Sequence, residues 1–379
     1  ATVDADRAGG NDDDKKDMNM ASILTGGIAE LRLCSGVDLC AVARVSSHVS
    51  PAAATTSNDP VVVGYARTPL GTFGGTLSSL KAQELGAHAI RAALQNAGLR
   101  PEVVEEVLLG QVLTAGCGQA PHRQAALLAG IPNTTPCTGI NKVWFAEISQ
   151  VHCGFPEGIF AVCASGMKAL MVAAAMIRSG ERKVVVVGGM ESMSNAPYAS
   201  LKARWGLRHG HGEMTDLMVH DGLTDAYDAI HMGECAERTA EKFSLSREAL
   251  DDYAARSIRL AGEAQDGIFK REIAPIEVKG RRGRVTVVDR DEQTGKVSFD
   301  GLSKLRPAFR PSGGVVTAGN SSPLSDGASA IVLMSRQVFP LVIDVLVNVL
   351  RLFFEVDKRF SSNAGNFVST WKSRGFRKR

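Results

Sequence analysis

The chain lacks any run of roughly eighteen uninterrupted apolar residues, the length a helix needs to cross a bilayer. The nearest approach, Val338 to Phe354, is broken by Asp344, Asn348 and Arg351, so no membrane role is expected. A CxxC pair is also missing. The seven cysteines (Cys34, Cys40, Cys117, Cys137, Cys153, Cys163, Cys235) are odd in number and irregular in spacing. That gives no sign of a zinc site or a redox dithiol and points to a reducing compartment. Charge of one sign is lacking too: 43 Lys and Arg stand against 40 Asp and Glu, a formal +3, which is not the footprint of a nucleic-acid binder. Gly74, Gly75, Gly313 and Gly314 sit in neither a GxxxxGKS/T nor a GxGxxG setting, which disfavours a nucleotide-dependent enzyme. There is no internal repeat.

What is present is an ordinary globular composition over 379 residues, 44% hydrophobic and 22% charged, long enough for two or three domains. Residues 1–59 show no sustained period and read as a leader or disordered extension. From Met20 this stretch is poor in acids and carries Arg32 and Arg44, compatible with an organellar transit segment. Regular structure begins at Pro60, where Val61 to Val63 followed by Gly64 predict a strand buried on both faces. A helix with Leu85, Ala89, Ile90, Ala93 and Leu94 on one side is expected to stop at Gly98. Then follow a short helical turn, a strand over Val103 to Leu109, a helix from about Gln119 to Ala129, and a strand near Cys137 to Val143. This alternation predicts an α/β sheet. The stretch Cys163 to Ser179 is apolar all round, which predicts a helix covered on every side. Val184 to Val187 and Ala328 to Ser335 read as further buried strands. Residues 196–320 are richer in Gly, His, Arg and Asp and are expected to form an inserted, more polar lobe, with a helix opened by Ser246.

Cys163 is the candidate nucleophile. Ala164, Ser165 and Gly166 are small enough to leave its sulfur approachable, and free amide N–H groups at a helix start favour the thiolate that attacks a thioester. Taken alone, a buried cysteine is more often a small core hydrophobe. The surrounding motifs change that balance. In order they are YARTPLGTFGG (Tyr65 to Gly75), GQAPHRQAAL (Gly118 to Leu127), IPNTTPCTGINKV (Ile131 to Val143), CASGMKAL (Cys163 to Leu170), GGMESMSNAPY (Gly188 to Tyr198), DGLTDAYDAIHMGECAE (Asp221 to Glu237), KLRPAF (Lys304 to Phe309) and VTAGNSSPLSDGA (Val316 to Ala328).

Together these closely resemble the thiolase family, most of all its biosynthetic acetoacetyl-CoA type, over about residues 60 to 335. The resemblance implies an α/β thiolase fold, with an N-terminal domain of βαβ type at 60–195 and 321–335 and an inserted loop domain at 196–320. It also implies transfer of an acetyl group from acetyl-CoA to Cys163, followed by attack of a second acetyl-CoA to give acetoacetyl-CoA. Leu223, His231, Met232, Ala318 and Ser322 fall on residues that line the pantetheine tunnel, although a lone histidine such as His231 serves equally often as a structural group. Tyr227 and the carbonyls around Ala318 resemble a potassium site of some members. No other cofactor is implied, since the coenzyme A thioester is substrate. A homo-oligomer is implied, in a cytoplasmic, mitochondrial or peroxisomal setting.

Two departures stand out. Trp144 to Val162 intervene between the NKV motif and Cys163, at the most constrained turn of the site. After Ser335 the chain reads RQVFPLVIDVLVNVLRLFFEVDKRF and matches none of the NEAF, GHP and CxG motifs that the resemblance would supply there. A chain without the C-terminal half of the fold, with 336–379 as a non-family tail and turnover near background, is therefore expected. The alternatives are a non-catalytic remnant that binds coenzyme A or other subunits, and a 3-ketoacyl-CoA thiolase.

Overall fold

A computed structural model describes residues 58–141, 162–280, 283–295 and 299–339. The expectations for the leader up to residue 57, for the insertion up to residue 161 and for the tail from residue 340 lie outside the described residues. In chain order the strands are β1 (Pro60–Arg67), β2 (Gly71–Thr72), β3 (Glu106–Gly110), β4 (Cys137–Ile140), β5 (Val184–Ser192), β6 (Tyr198–Ala199), β7 (Thr215–Asp216), β8 (Ile276–Lys279), β9 (Val285–Val288) and β10 (Ser325–Ser335). The α-helices are α1 (Ala82–Ala97), α2 (Pro121–Leu128), α3 (Ser165–Arg178), α4 (Met232–Lys242) and α5 (Arg247–Asp266).

The main sheet runs β1-β10-β5-β3-β4, with β2 paired to β10. β3 is parallel to β4 and β5, while β10 is antiparallel to β5 and β1. Successive side chains of a strand face opposite ways, and here each way meets a different layer. Val107, Leu109, Val184, Val186, Val332 and Met334 face a cluster built with Leu85, Ile90, Ala93 and Leu94 of α1 and Ala125 and Ala126 of α2. Leu108, Val185, Val187 and Leu333 face Ala169, Ala173 and Ile177 of α3. Each fully buried Leu or Ile contributes about 1.5–3 kcal/mol relative to its exposed state, so the two layers hold the sheet between them. Gly98 ends α1 in the left-handed conformation, as expected, with its N–H donating to the carbonyls of Leu94 and Gln95.

Three sequence expectations are corrected. β1 is not buried on both faces: among the described residues it is the outer strand, paired with β10, and Val62 is 48% exposed. α3 is not covered all round. It buries Ser165, Ala169, Ala173 and Ile177 on the sheet, whereas Met167 and Met171 are 63% and 62% exposed. β3 begins at Glu106, because Pro101 to Val103 form a single 3-10 turn.

The stretch 196–320 carries the β6-β7 and β8-β9 ladders and helices α4 and α5. It is tied to the main sheet through Arg67, which donates to Glu272 at 2.7 Å and to both carboxylate oxygens of Asp291 at 2.6 and 2.9 Å. Ile276 and Val278 of β8 enter the α1-side core. Ser246 caps α5 as its position implies, its hydroxyl accepting from the Ala249 N–H. The side chains of α5 that are most buried are polar, Asp251 and Gln265. Gln265 donates to Asp291 at 2.6 Å and Asp251 accepts from Asn320 Nδ2 at 2.9 Å, so this helix is anchored by hydrogen bonds more than by an apolar stripe.

Candidate active site

Cys163 is exposed and immediately precedes Ala164, the N-cap of α3. The helix makes its first backbone bond from the Lys168 N–H to the Ala164 carbonyl at 2.9 Å. Its opening turn lies on Gly110, the last residue of β3, and on Gly188 in β5. A Cβ on Gly110 would collide with the Gly166 amide and with Ser165, and one on Gly166 would stand 3.3 Å from the Gly188 carbonyl oxygen. Only bare backbone allows that approach. The helix that Cys163 precedes thus starts beside the carboxyl end of β3, the edge of an open α/β sheet where ligands are bound. Among the described residues no side-chain hydrogen bond joins Cys163 to a histidine, a carboxylate or another cysteine.

The floor beside this turn is fixed by Glu191, near the end of β5. Its carboxylate accepts from the Val112 N–H at 2.8 Å and from the Leu113 N–H at 3.2 Å. Burial pushes the Glu191 carboxyl up from its ordinary range, and the two backbone donors oppose that shift. Gln111 donates to the Leu113 carbonyl and Asn141 to the Val112 carbonyl, both at 3.0 Å, completing the turn after β3. Leu113 in turn lies against Gly222, one residue before Leu223.

The other sequence-assigned residues gather in two connected places. Leu223 closes the turn Met218–Leu223, and the next residue, Thr224, bridges to His231. His231 is the N-cap of α4, its Nδ1 accepting from the Gly233 N–H at 3.0 Å, and Met232 is the first residue of that helix. With Nδ1 so engaged, the neutral ring carries its proton on Nε2, an assignment from the bonding pattern. The ring also stacks on Phe309, with centroids 5.0 Å apart. From Phe309 the chain runs on to Ala318 and Ser322, both exposed. Tyr227 is 64% exposed, on a turn where the Asp225 carboxylate accepts from the N–H groups of Tyr227 and Asp228. Among the described residues no group of three His, Cys, Asp or Glu side chains could hold a metal ion.

The match to known families covers most of what the structure describes. Residues 60–337 fit the model of the thiolase N-terminal domain. The chain belongs to the thiolase family. It is 50% identical over 298 residues to acetyl-CoA acetyltransferase 2 of Arabidopsis thaliana, covering 78% of this chain and 68% of that one. Against mitochondrial acetyl-CoA acetyltransferase A of Xenopus laevis the identity is 45% over 293 residues, 77% of this chain and 65% of that one. The mitochondrial acetyl-CoA acetyltransferase of Rattus norvegicus is 45% identical over 289 residues, with 76% and 63% covered. This thiolase chain therefore spans roughly two thirds of the length of the curated relatives it matches.

Every site residue assigned from sequence, Cys163 included, lies inside the thiolase match. The sequence reading passed over the groups that hold those residues in place. Glu191 stood in the quoted GGMES motif and Asn320 in AGNSS, but a carboxylate that accepts backbone N–H groups has no signature beyond its own letter. Among the described residues of this thiolase no helix is long and apolar enough to cross a membrane.

Proposed function

We propose that this chain performs the first half of a thiolase cycle, with Cys163 accepting an acetyl group from acetyl-CoA. The Sγ thiolate attacks the thioester carbonyl carbon, a new C–S bond forms, and the bond to coenzyme A breaks. Coenzyme A leaves as the thiolate and takes up a proton. The observation that carries the reading is an exposed cysteine at the start of a helix whose first turn is seated on the backbone of β5 and of the carboxyl end of β3. The names of the relatives support acetyl-CoA as the donor. In the full reaction a second acetyl-CoA loses a methyl proton, and the resulting carbanion attacks the acetyl-cysteine to give acetoacetyl-CoA.

Leu223, Met232, His231, Ala318 and Ser322 are proposed to receive the pantetheine arm. Apolar walls suit its chain, while the His231 ring N–H and the Ser322 hydroxyl suit its amides. A potassium ion at Tyr227 is left out of this reading, because that ring is largely exposed and the neighbouring Asp225 is already engaged by backbone. Among the described residues β4 is the end strand of the sheet, which supports pairing with a second copy through that edge. A cytoplasmic setting is proposed, and the mitochondrial names of several relatives support an organelle as the alternative.

Residues 336–379 match none of the motifs to which the family resemblance assigns proton transfer, so turnover by these 379 residues is proposed to lie near background. Loss of acid–base catalysis costs about 10²- to 10⁴-fold. Incubation with acetyl-CoA and chromatographic measurement of the coenzyme A released tests this. One equivalent per chain and then a halt supports the reading. Continuous release contradicts the claim of slow turnover, and no release favours the alternative of a binding remnant.

A further inference from the structure

One stripe of α4 is bound along its length to the segment that leads to Ser322. At its N-terminus His231 stacks on Phe309, whose ring lies so close over Gly233 that a Cβ there would clash. Three residues on, Glu234 accepts from Arg310 Nη2 at 2.6 Å and from its Nε at 3.0 Å. Three further on, Glu237 is 2% exposed, and its Oε1 accepts from the N–H groups of Val315 and Val316 at 3.1 and 2.9 Å, while Oε2 accepts from Val315 at 3.0 Å. Residues three and four apart share a helix face, so these contacts act as one clamp.

Beyond Val316 the chain turns back on itself. Asn320 Oδ1 accepts from the Thr317 N–H at 2.7 Å, and its Nδ2 donates to the Val315 carbonyl at 3.0 Å and to Asp251 at 2.9 Å. Ser321 donates to the Thr317 carbonyl at 2.6 Å, and Ser322 follows. The backbone on which Ala318 and Ser322 are mounted is therefore fixed at Val315 and Val316 by one buried carboxylate reached from another helix.

We infer that Glu237 is a positioning residue for the thioester site: it does not touch the ligand, but sets the place of the Ala318–Ser322 turn relative to His231. This rests on the reading of that turn as part of the pantetheine site. In Glu237→Ala two backbone donors lose their acceptor, and the turn is free to shift relative to α4.

The test is calorimetric titration of the full chain with coenzyme A, alongside thermal unfolding. Glu237→Ala should bind about tenfold more weakly, as expected when charged hydrogen bonds are lost, and Glu237→Gln, which keeps one acceptor oxygen, about threefold more weakly. Val186→Ala, a core change remote from the turn, should lower the melting temperature and leave affinity unchanged. A folded Glu237→Ala with wild-type affinity overturns the inference. If the alanine variant does not fold, wild-type affinity in Glu237→Gln does the same, as does equal weakening in Val186→Ala. A wild-type chain that binds coenzyme A but never acetylates Cys163 contradicts the acyl-transfer reading alone and leaves the role of Glu237 standing.

Discussion

Gly110 and Gly166 meet backbone to backbone: a single Cβ on Gly110, the last residue of β3, would overlap the amide nitrogen of Gly166 in the first turn of α3. This contact sets how deeply that turn sits on the sheet, and Cys163 stands two residues before α3 begins. Gly110→Ala must push the turn outward. Overpacking of this kind costs about 1–3 kcal/mol, and a shift of about 1 Å at a reacting group can cost a hundredfold in rate. The variant is expected to melt earlier and to acetylate Cys163 far more slowly, as read by circular dichroism and intact mass. An alanine variant that matches the wild type in both would remove the glycine seat from the account.

Arg67 is the second point on which the arrangement depends. Its side chain is 12% exposed and lies between Glu272 and Asp291, at 9% and 6%. Burial alone would weaken its charge, yet the hydrogen bonds and attraction of Asp291 and Glu272 hold its pKa above the ordinary range. Arg67→Met leaves two carboxylates buried without their cation, and breaking a buried pair from one side costs about 3–5 kcal/mol. Urea denaturation should register a loss of that order. A change well under 1 kcal/mol would mean that water already reaches the cluster.

Acid should weaken the fold through buried histidines. Burial lowers the pKa of His122, whose Nε2 has no partner among the described residues, and burial likewise lowers that of His88. The neutral forms are favoured in the folded chain. Their contribution is full above the ordinary histidine value near 6.5 and is lost as pH falls through the lowered folded values. The melting temperature should therefore drop from pH 6.5 towards pH 5, and His122→Leu should flatten that slope without abolishing it, since His88 remains. An unchanged slope in the leucine variant would show that His122 does not titrate in this window.

The outward stripe of α3 offers a separate check. Met167 and Met171 lie one turn apart and are both largely exposed, a contiguous apolar feature of the kind that drives association. Replacing both with Lys should reduce concentration-dependent light scattering and alter the melting temperature little, because neither packs in the core. Unchanged scattering would place the association elsewhere.

Much of this was legible in the sequence, for identifiable reasons. The valine run at 184–187 and the stop at Gly98 were readable because burial on two faces and a left-handed cap each impose a local signature. The coverage of β1 and α3 was not, since whether an apolar residue such as Val62 or Met167 finds a neighbour depends on where its element falls in the sheet order. The same limit applied to α5, where no local pattern marks Asp251 and Gln265 as its buried side chains. Their partners, Arg247 and Asn320 for the first and Asp291 for the second, lie up to dozens of residues away. Cys163 could be picked out because its motif is contiguous. Glu191 and Glu237 could not, because each acts on backbone brought to it only by the fold.

The most direct test is to treat the purified chain with acetyl-CoA, quench it in acid and map the acetyl group by peptide mass spectrometry. A single acetyl thioester on Cys163, absent in Cys163→Ser, is the predicted result. An unmodified Cys163, or an acetyl group carried instead by Cys117, Cys137 or Cys235, would contradict the account.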